Sequence, residues 1–143
     1  MTVFKNSDEL QKILGGFFNV LVKDPVIGGK LKDSRLVIKF NYTNPDLSIT
    51  ADCSQADTKL TYNDTVTKPE VEMFMQADVA HKFWLGEVNL VMAVARRQMV
   101  VKGPIPRILK LLPVIKPAYQ MYKDYLKKLV MLPVNQANCK RVG

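Results

Sequence analysis

The stretch that decides the fold is EVEMFMQADVAHKFWLGEVNLVMAVARRQMVVKG, which spans residues 70–103. Over residues 70–76, Val71, Met73 and Met75 occupy every second position, and a glutamate flanks the first of them on each side. A period of two is typical of a strand with one buried and one solvated face. The stretch therefore begins with a predicted strand.

Two short helices and another strand follow within the same stretch. Asp78 is placed to cap a helix that ends at Gly86, and Asn89 is placed to cap a second helix over residues 90–96. The second helix is apolar around most of its circumference, so we expect it to be buried on more than one side. Residues 99–102 return to strand spacing.

Upstream, the chain opens with a helical pattern. From a predicted cap at Ser7, apolar residues recur at helical spacing as far as Val22. Pro25 and the glycine pair at 28–29 predict its end. This spacing predicts one amphipathic helix whose apolar stripe faces the core.

From Leu36 the period changes to two. Short polar turns, the first at residues 44–46, separate predicted strands at 36–43, 47–53 and 60–62. Three such strands predict an antiparallel meander with one buried face. Together with the stretch at 70–103 they indicate an α+β domain, in which a five-stranded sheet carries helices on one face.

Downstream, residues 98–130 are both apolar and basic. Pro106 suits the start of a helix, Pro113 is expected to interrupt it, and Pro117 is expected to begin the last helix. Residues 1–72 contain nine Lys/Arg and ten Asp/Glu, whereas residues 73–143 contain twelve and three. Nearly all of the net charge of +8 therefore belongs to the second half, where it predicts a solvated basic face or an anionic partner.

The chain is predicted to form a single domain over residues 1–133, followed by a polar C-terminal tail at 134–143. Its two cysteines, Cys53 and Cys139, fit neither a metal motif nor a redox motif. No signal-peptide pattern and no apolar run of about 18 residues is present. We therefore expect a cytoplasmic, reduced protein.

Signatures of catalysis are missing from the sequence. His81 is the single histidine, and a lone histidine is more often structural than catalytic. The glycine pairs at 15–16 and 28–29 lack the spacing of a phosphate loop. The bases are interspersed with apolar residues and form no RNA-binding motif, so no nucleic-acid partner is expected. We predict no catalytic residue, no metal and no cofactor.

The chain supplies more apolar helix surface than one sheet face needs. One interpretation is a thick, filled core, and the other is a hollow for an apolar ligand. Periodicity does not distinguish the two. Flexible and aromatic side chains that would line such a hollow are Met73, Met75, Phe83, Trp84, Met92, Met121 and Tyr125.

The order and spacing of several features resemble the sterol carrier protein type 2 family. The features are VEMFM at 71–75, WLG at 84–86, a helix start at Asn89, VVKG at 100–103 and LLP at 111–113. The resemblance covers residues 5–130. The chain departs from the family at 96–98, where members often have a Gly-Lys turn, and in a bulkier segment at 105–117. These departures leave the ligand and the shape of the cavity mouth open.

The resemblance implies that the sheet and helices enclose a hydrophobic tunnel. It implies non-catalytic binding or transfer of a fatty acid, a fatty acyl-CoA, a sterol-like lipid or a phospholipid. The residues predicted to contact the lipid are Phe17, Leu21, Ile38, Phe40, Ile49, Met73, Met75, Phe83, Trp84, Val91, Val94, Ile108, Leu112, Met121, Tyr122 and Tyr125.

The basic second half adds an anionic membrane surface as a candidate partner, where each Lys or Arg contributes ~1 kcal/mol. The sequence does not fix the oligomeric state. Three other hypotheses stay open. They are an accessory protein that presents an isoprenoid such as a quinone precursor to enzymes, an enzyme of lipid metabolism with an unobvious site, and an interaction module without a tunnel.

Overall fold

The computed structural model describes residues 3–131, so the predicted tail at 134–143 and Cys139 lie outside the described residues. The predicted α+β architecture with a five-stranded sheet is confirmed. In chain order the elements are α1 (Ser7–Leu10), a π-helical segment (Gln11–Gly15), α2 (Gly16–Lys23), α3 (Pro25–Ser34), β1 (Val37–Thr43), β2 (Leu47–Asp52), β3 (Lys59–Tyr62), β4 (Val71–Gln76), α4 (Ala77–Trp84), α5 (Leu90–Ala95), β5 (Met99–Lys102), α6 (Ile105–Leu109) and α7 (Leu112–Met131).

The strands form one mixed sheet in the order β3-β2-β1-β4-β5. The first three make the predicted antiparallel meander, β4 pairs with β1 in parallel, and β5 pairs with β4 antiparallel. Phe40 on β1 lies beside Ile49 on β2 and Met73 on β4. The alternating apolar residues of several strands therefore share one face. Helices pack on this inner face, as the contact between the Phe18 and Phe40 rings shows.

The predicted first helix is present as a continuous helical run over residues 7–23. Its cap is Asn6 instead of Ser7, because the Asn6 side chain accepts a hydrogen bond from the Glu9 amide at 2.8 Å. The Ser7 hydroxyl donates to the Asp46 carbonyl and so ties the helix to the turn before β2.

The first helix ends at Lys23, just before Pro25, as predicted, but helical structure resumes at once in a helix that was not predicted and that contains the two glycines. Asp24 caps a second helix, α3, by accepting hydrogen bonds from the amides of Val26 at 3.1 Å and Ile27 at 2.9 Å. Pro25 occupies the first helical position, where its missing N–H has no intrahelical partner to lose. The same proline that predicts an end therefore begins a helix.

The predicted helix boundaries at Asp78, Pro113 and Pro117 also need correction. The backbone of Gln76 precedes α4, and Asp78 lies in its first turn. The break between α6 and α7 falls at residues 110–111, so Pro113 lies in the first turn of α7 and Pro117 lies inside it. Pro117 removes one backbone hydrogen bond near the helix start, and α7 continues through it. Among residues 3–131, no helix is both long and apolar enough to cross a membrane.

Gly103 makes the tight exit from β5 possible. Its φ of 120° is one that side-chain-bearing residues rarely adopt, and a Cβ there would overlap the Glu70 carbonyl oxygen. We expect Gly103→Ala to lower the free energy of unfolding by about 2 kcal/mol, measured by urea denaturation.

The matched control is Gly29→Ala, on α3, where a Cβ would meet no atom within 4 Å. Because alanine is the better helix former, this change is expected to be neutral or stabilising by up to about 1 kcal/mol. Equal effects of the two substitutions would contradict the backbone argument.

Candidate functional site

A cavity of about 100 Å³ lies between the inner face of the sheet and the helices. Within the described part of the chain, the side chains that line it are apolar, apart from the thiol of Cys53 and the indole N–H of Trp84. A small space with such walls favours hydrocarbon over water, because a buried water needs polar partners. The lining residues are Phe18, Leu21, Val22, Leu31, Ile38, Phe40, Ala51, Cys53, Leu60, Met73, Phe83, Trp84, Leu90, Ile108, Leu111, Leu112 and Ile115.

The floor of the cavity comes from four paired strands. Ile38 on β1 lies beside Ala51 on β2, which in turn lies beside Leu60 on β3. Phe40 lies beside Met73 on the parallel strand β4. Because these pairs occupy the same face, small Ala51 leaves room between larger neighbours.

Aromatic rings connect this floor to the helices above it. The Phe18 ring on α2 contacts Phe40 edge-on, with centroids 5.1 Å apart, and contacts the Trp84 ring at 5.7 Å. Phe83 packs edge-on against Trp84 at 5.1 Å. Edge-to-face contacts are directional, so they hold α2 and α4 in fixed positions over the sheet.

The lining residues at the junction of α6 and α7 are only half-buried. Eight lining residues have this intermediate exposure: Val22, Leu31, Phe40, Ala51, Leu60, Leu111, Leu112 and Ile115. Fully buried lining residues such as Ile38 and Trp84 lie deeper. We name Leu111, Leu112 and Ile115, the half-buried lining residues at the junction of α6 and α7, the cavity mouth.

Arg107 fastens α6 beside this mouth. Its Nη1 atom donates to Glu70 Oε2 at 2.9 Å, and its Nη2 atom donates to the Ser34 carbonyl at 2.7 Å. The carbonyl belongs to the end of α3, and Glu70 directly precedes β4. One guanidinium thus joins three parts of the cavity wall, in the forked geometry that arginine favours.

Half of the predicted lipid contacts line the cavity: Leu21, Ile38, Phe40, Met73, Phe83, Trp84, Ile108 and Leu112. The other predicted residues lie elsewhere. Phe17, Ile49, Met75 and Tyr122 are buried in the core, Val94, Met121 and Tyr125 are half-buried against it, and Val91 is 57% exposed.

Several lining residues were not predicted from the sequence. Leu31 lies on α3, a helix that was not predicted. Ala51, Cys53 and Leu60 continue the strand alternation that contains Ile49, so the same signal pointed to them. Only the register between β2 and β3 shows that this outer part of the sheet underlies the cavity.

Cys53 is the most reactive group in the lining, but its surroundings suppress that reactivity. Burial raises the pKa of the Cys53 thiol, and the neighbouring Asp52 carboxylate adds to this effect. Because the thiolate is the nucleophilic form, a neutral buried thiol is a poor nucleophile. Cys53 therefore acts as a small apolar wall.

His81 lies outside the cavity and packs in the core with Phe4 and Tyr122. Its Nδ1 atom shares a hydrogen bond of 2.7 Å with the Tyr122 hydroxyl, and the Phe4 ring packs edge-on at 5.7 Å. Burial lowers the pKa of His81, against the opposing effect of Asp78 and Glu87, and burial raises the pKa of Tyr122. The pair is therefore neutral near pH 7 and has a structural position.

Metal ligands are not grouped within residues 3–131, where no cluster of three or more His, Cys, Asp or Glu side chains is found. The site of interest in the described part of the chain is the apolar cavity and its mouth.

Comparison with known proteins establishes the fold. No protein-family model matches this sequence, and no curated protein matches it either. The sterol carrier protein domain 2 of Helicoverpa armigera superposes with a TM-score of 0.66 at 17% identity, over 83% of this chain and 96% of that chain. The UbiJ-SCP2 ubiquinone synthesis protein gives 0.55 at 14% identity, over 78% and 89%.

A third solved structure carries a lipid. Sterol carrier protein 2 from Aedes aegypti, determined in complex with palmitate, gives a TM-score of 0.51 at 23% identity, over 81% of this chain and 97% of that chain. At such identities the likeness concerns architecture. The chain has the sterol carrier protein 2 fold, and the resemblance inferred from the residues is confirmed at that level.

The neutral state of His81 predicts a pH dependence of stability. Because the folded-state pKa lies below the ordinary value of about 6.5, the unfolded chain binds the proton first as pH falls. The contribution of neutral His81 to the free energy of unfolding is therefore fully present above about pH 6.5, and it declines as the pH falls from there toward the folded-state pKa. His81→Asn removes this titration, so its free energy of unfolding, measured by urea denaturation, should change less between pH 7.5 and 5.5.

His81 is the only histidine in the chain, so the difference between the two pH curves isolates its contribution. Parallel curves for the wild type and His81→Asn would show that the imidazole does not titrate differently on folding.

Proposed function

We propose that this protein binds a lipid through its hydrocarbon chain and carries it without catalysis. The observation that carries this proposal is the cavity between sheet and helices, whose lining, as far as residues 3–131 form it, contains no charged or amide side chain. Each methylene transferred from water to such a lining contributes about 0.8 kcal/mol. Support comes from the shared fold, since one solved domain with this architecture was determined with palmitate.

The cavity must widen to hold a long chain. Its volume of about 100 Å³ is below the range of about 300–1,000 Å³ that is usual for ligand sites. The wall best suited to move is the segment from Gly103 to the break at 110–111, because α6 has five residues and non-helical backbone on both sides. Arg107 is its polar attachment to α3 and β4.

The polar head of the ligand is expected to stay at the mouth. An ionised carboxylate inside this lining would meet no cationic or amide side chain among the described residues, and burying an unpaired charge costs far more than a hydrocarbon chain returns. Lys110 and Lys116 lie next to the mouth residues Leu111 and Ile115 and are exposed. The arrangement suits a single-chain lipid with an anionic head, such as a fatty acid.

Non-catalytic binding follows from the same lining. A lipid in the cavity would meet no general acid or base, and Cys53 is held neutral by burial. His81 packs with Tyr122, away from the cavity. We therefore expect acyl-thioesters to remain intact in its presence.

A second candidate ligand is an isoprenoid such as a quinone precursor, which this protein would present to enzymes. The fold similarity to a ubiquinone synthesis protein favours this candidate. Mass spectrometry of lipids that co-purify with the chain separates the two, because fatty acids and isoprenoid quinones differ in mass and in redox behaviour.

Filling the cavity should abolish binding. Ala51→Phe directs a phenyl ring between Ile38 and Leu60, and overpacking of this kind costs about 1–3 kcal/mol when the space must also hold a ligand. We expect palmitate binding to weaken about tenfold or more, measured by displacement of a fluorescent fatty acid and by native mass spectrometry.

The matched control is Val66→Phe, which adds the same ring at a loop position that is 86% exposed. It should bind palmitate as the wild type does. Failure of the wild-type protein to bind palmitate, a quinone or any lipid from an extract would overturn the proposed function.

Release of the Arg107 attachment should speed exchange of the ligand. Arg107→Met keeps the aliphatic stem but removes both hydrogen bonds, each of which contributes about 1 kcal/mol to the closed position of α6. We expect release of a fluorescent fatty acid, followed by stopped flow, to be about fivefold faster or more.

Glu70→Gln retains the contact to the Ser34 carbonyl, so its effect on the release rate should be smaller than that of Arg107→Met. Unchanged rates in both variants, with the fold intact by circular dichroism, would show that α6 is not the moving wall.

A further inference from the structure

Exposed apolar side chains lie on α5 and α6, two helices that each contribute a residue to the cavity lining. Val91 and Met92 are 57% and 47% exposed, and Ile105 and Leu109 are 40% and 38% exposed. Val91 and Leu109 each directly follow a cavity-lining residue. Single exposed apolar residues are ordinary, but several on two helices that line one cavity indicate an interaction surface.

The two helices lie toward the same end of the sheet edge. α5 packs against β5, and the turn at 96–98 reverses the chain between them, with Arg97 at φ 60° and the Gln98 amide donating to the Ala93 carbonyl at 2.8 Å. The start of α5 therefore lies toward the end of β5. α6 begins three residues after that end, so both helices start near the same end of β5.

Positive charge exceeds negative charge in this part of the chain, where Glu72 on β4 lies beside Lys102 in the sheet. Residues 88–123 contain seven Lys/Arg and no Asp or Glu. Among the residues that the structure describes, Arg107 is the one of the seven in a salt bridge, with Glu70. The seven are Arg96, Arg97, Lys102, Arg107, Lys110, Lys116 and Lys123.

We infer that this surface docks on an anionic phospholipid membrane with the cavity mouth toward the bilayer. We name it the rim surface and define it by Val91, Met92, Ile105, Leu109, Lys110 and Lys116. Its apolar side chains suit the boundary between headgroups and acyl chains, and its lysines suit anionic headgroups. A nucleic acid would match the charge but leave the four apolar side chains in water.

The inference extends the proposed function and rests on it only for the cargo that would cross at the mouth. The docking itself is inferred from the exposed apolar side chains and the positive charge of the rim surface. A chain that docks in this orientation would exchange its lipid without passing the hydrocarbon through water, which is the largest barrier to transfer of a long chain.

The test is co-sedimentation of the full chain with vesicles of phosphatidylcholine alone and of equal parts phosphatidylcholine and phosphatidylglycerol. We expect binding to the anionic vesicles that weakens with added salt. Each cation near such a surface contributes about fivefold, so Lys110→Gln with Lys116→Gln should weaken binding about 25-fold. Val91→Ser with Leu109→Ser should weaken it about tenfold.

The control is Val66→Ser, which removes an apolar side chain that is 86% exposed on the loop between β3 and β4 and should leave vesicle binding unchanged. Thermal unfolding of each variant verifies the fold. Equal vesicle binding by the wild type and both double variants would overturn the inference, as would salt-sensitive RNA binding without vesicle binding.

Uptake of a fluorescent fatty acid from solution, without vesicles, keeps this result separate from the proposed function. Wild-type protein that takes up the probe but ignores anionic vesicles overturns the rim surface alone. Protein that binds vesicles through the rim surface but takes up no probe overturns the proposed function and supports the docking surface.

Discussion

The parallel pairing of β1 with β4 is the constraint on which the rest of the structure depends. It begins where the Glu70 amide donates to the Val37 carbonyl at 2.9 Å and continues with Ile38 beside Val71 and Phe40 beside Met73. This ladder joins the meander of the first half to the helices of the second. Without it, the two halves would have separate apolar faces, and the cavity would have no floor.

The short helices that cover the continuous sheet explain why the cavity is not filled by side chains. α5 and α6 have six and five residues, too few to present a continuous apolar stripe to a five-stranded sheet. An empty apolar space costs about 24 cal/mol per Å³, so 100 Å³ costs about 2–3 kcal/mol. That is a large fraction of the 5–15 kcal/mol that is typical of a whole domain. A ligand that filled the space would return this energy as affinity.

Local sequence signals predicted the elements but not how they meet. Alternation located the strands and Asn89 located a helix start, because both depend on neighbours in the chain. Pro25 indicated the end of the first helix correctly but concealed the start of the next, since a proline can follow one helix and begin another, and here the Asp24 cap begins α3. The parallel pairing of β1 with β4 depends on residues more than thirty positions apart, and local alternation of apolar and polar residues does not predict it.

The same limit applies to the site. Phe17 and Phe18 are adjacent inward residues of one helix, yet Phe17 packs on Tyr122 while Phe18 lines the cavity. Periodicity identifies an inward face, but the partner across that face decides whether a side chain meets another ring or space. Leu31 was missed for a different reason. It lines the cavity from α3, and the Pro25 signal that begins α3 was interpreted only as the end of the preceding helix.

Apolar and charged chemistry are separated on either side of the mouth, and this separation limits what the protein can recognise. Among the described residues, the Cys53 thiol and the indole N–H of Trp84 are the only hydrogen-bonding side-chain groups of the lining, so it distinguishes ligands mainly by the length and width of their hydrocarbon. The basic residues outside the cavity distinguish ligands by the charge of the head group, and this interaction energy falls as the salt concentration rises. A ligand's chain and its head would then contribute independently, as expected for groups without shared partners. Selectivity under the proposed function would therefore arise from shape within the cavity and from charge at its rim.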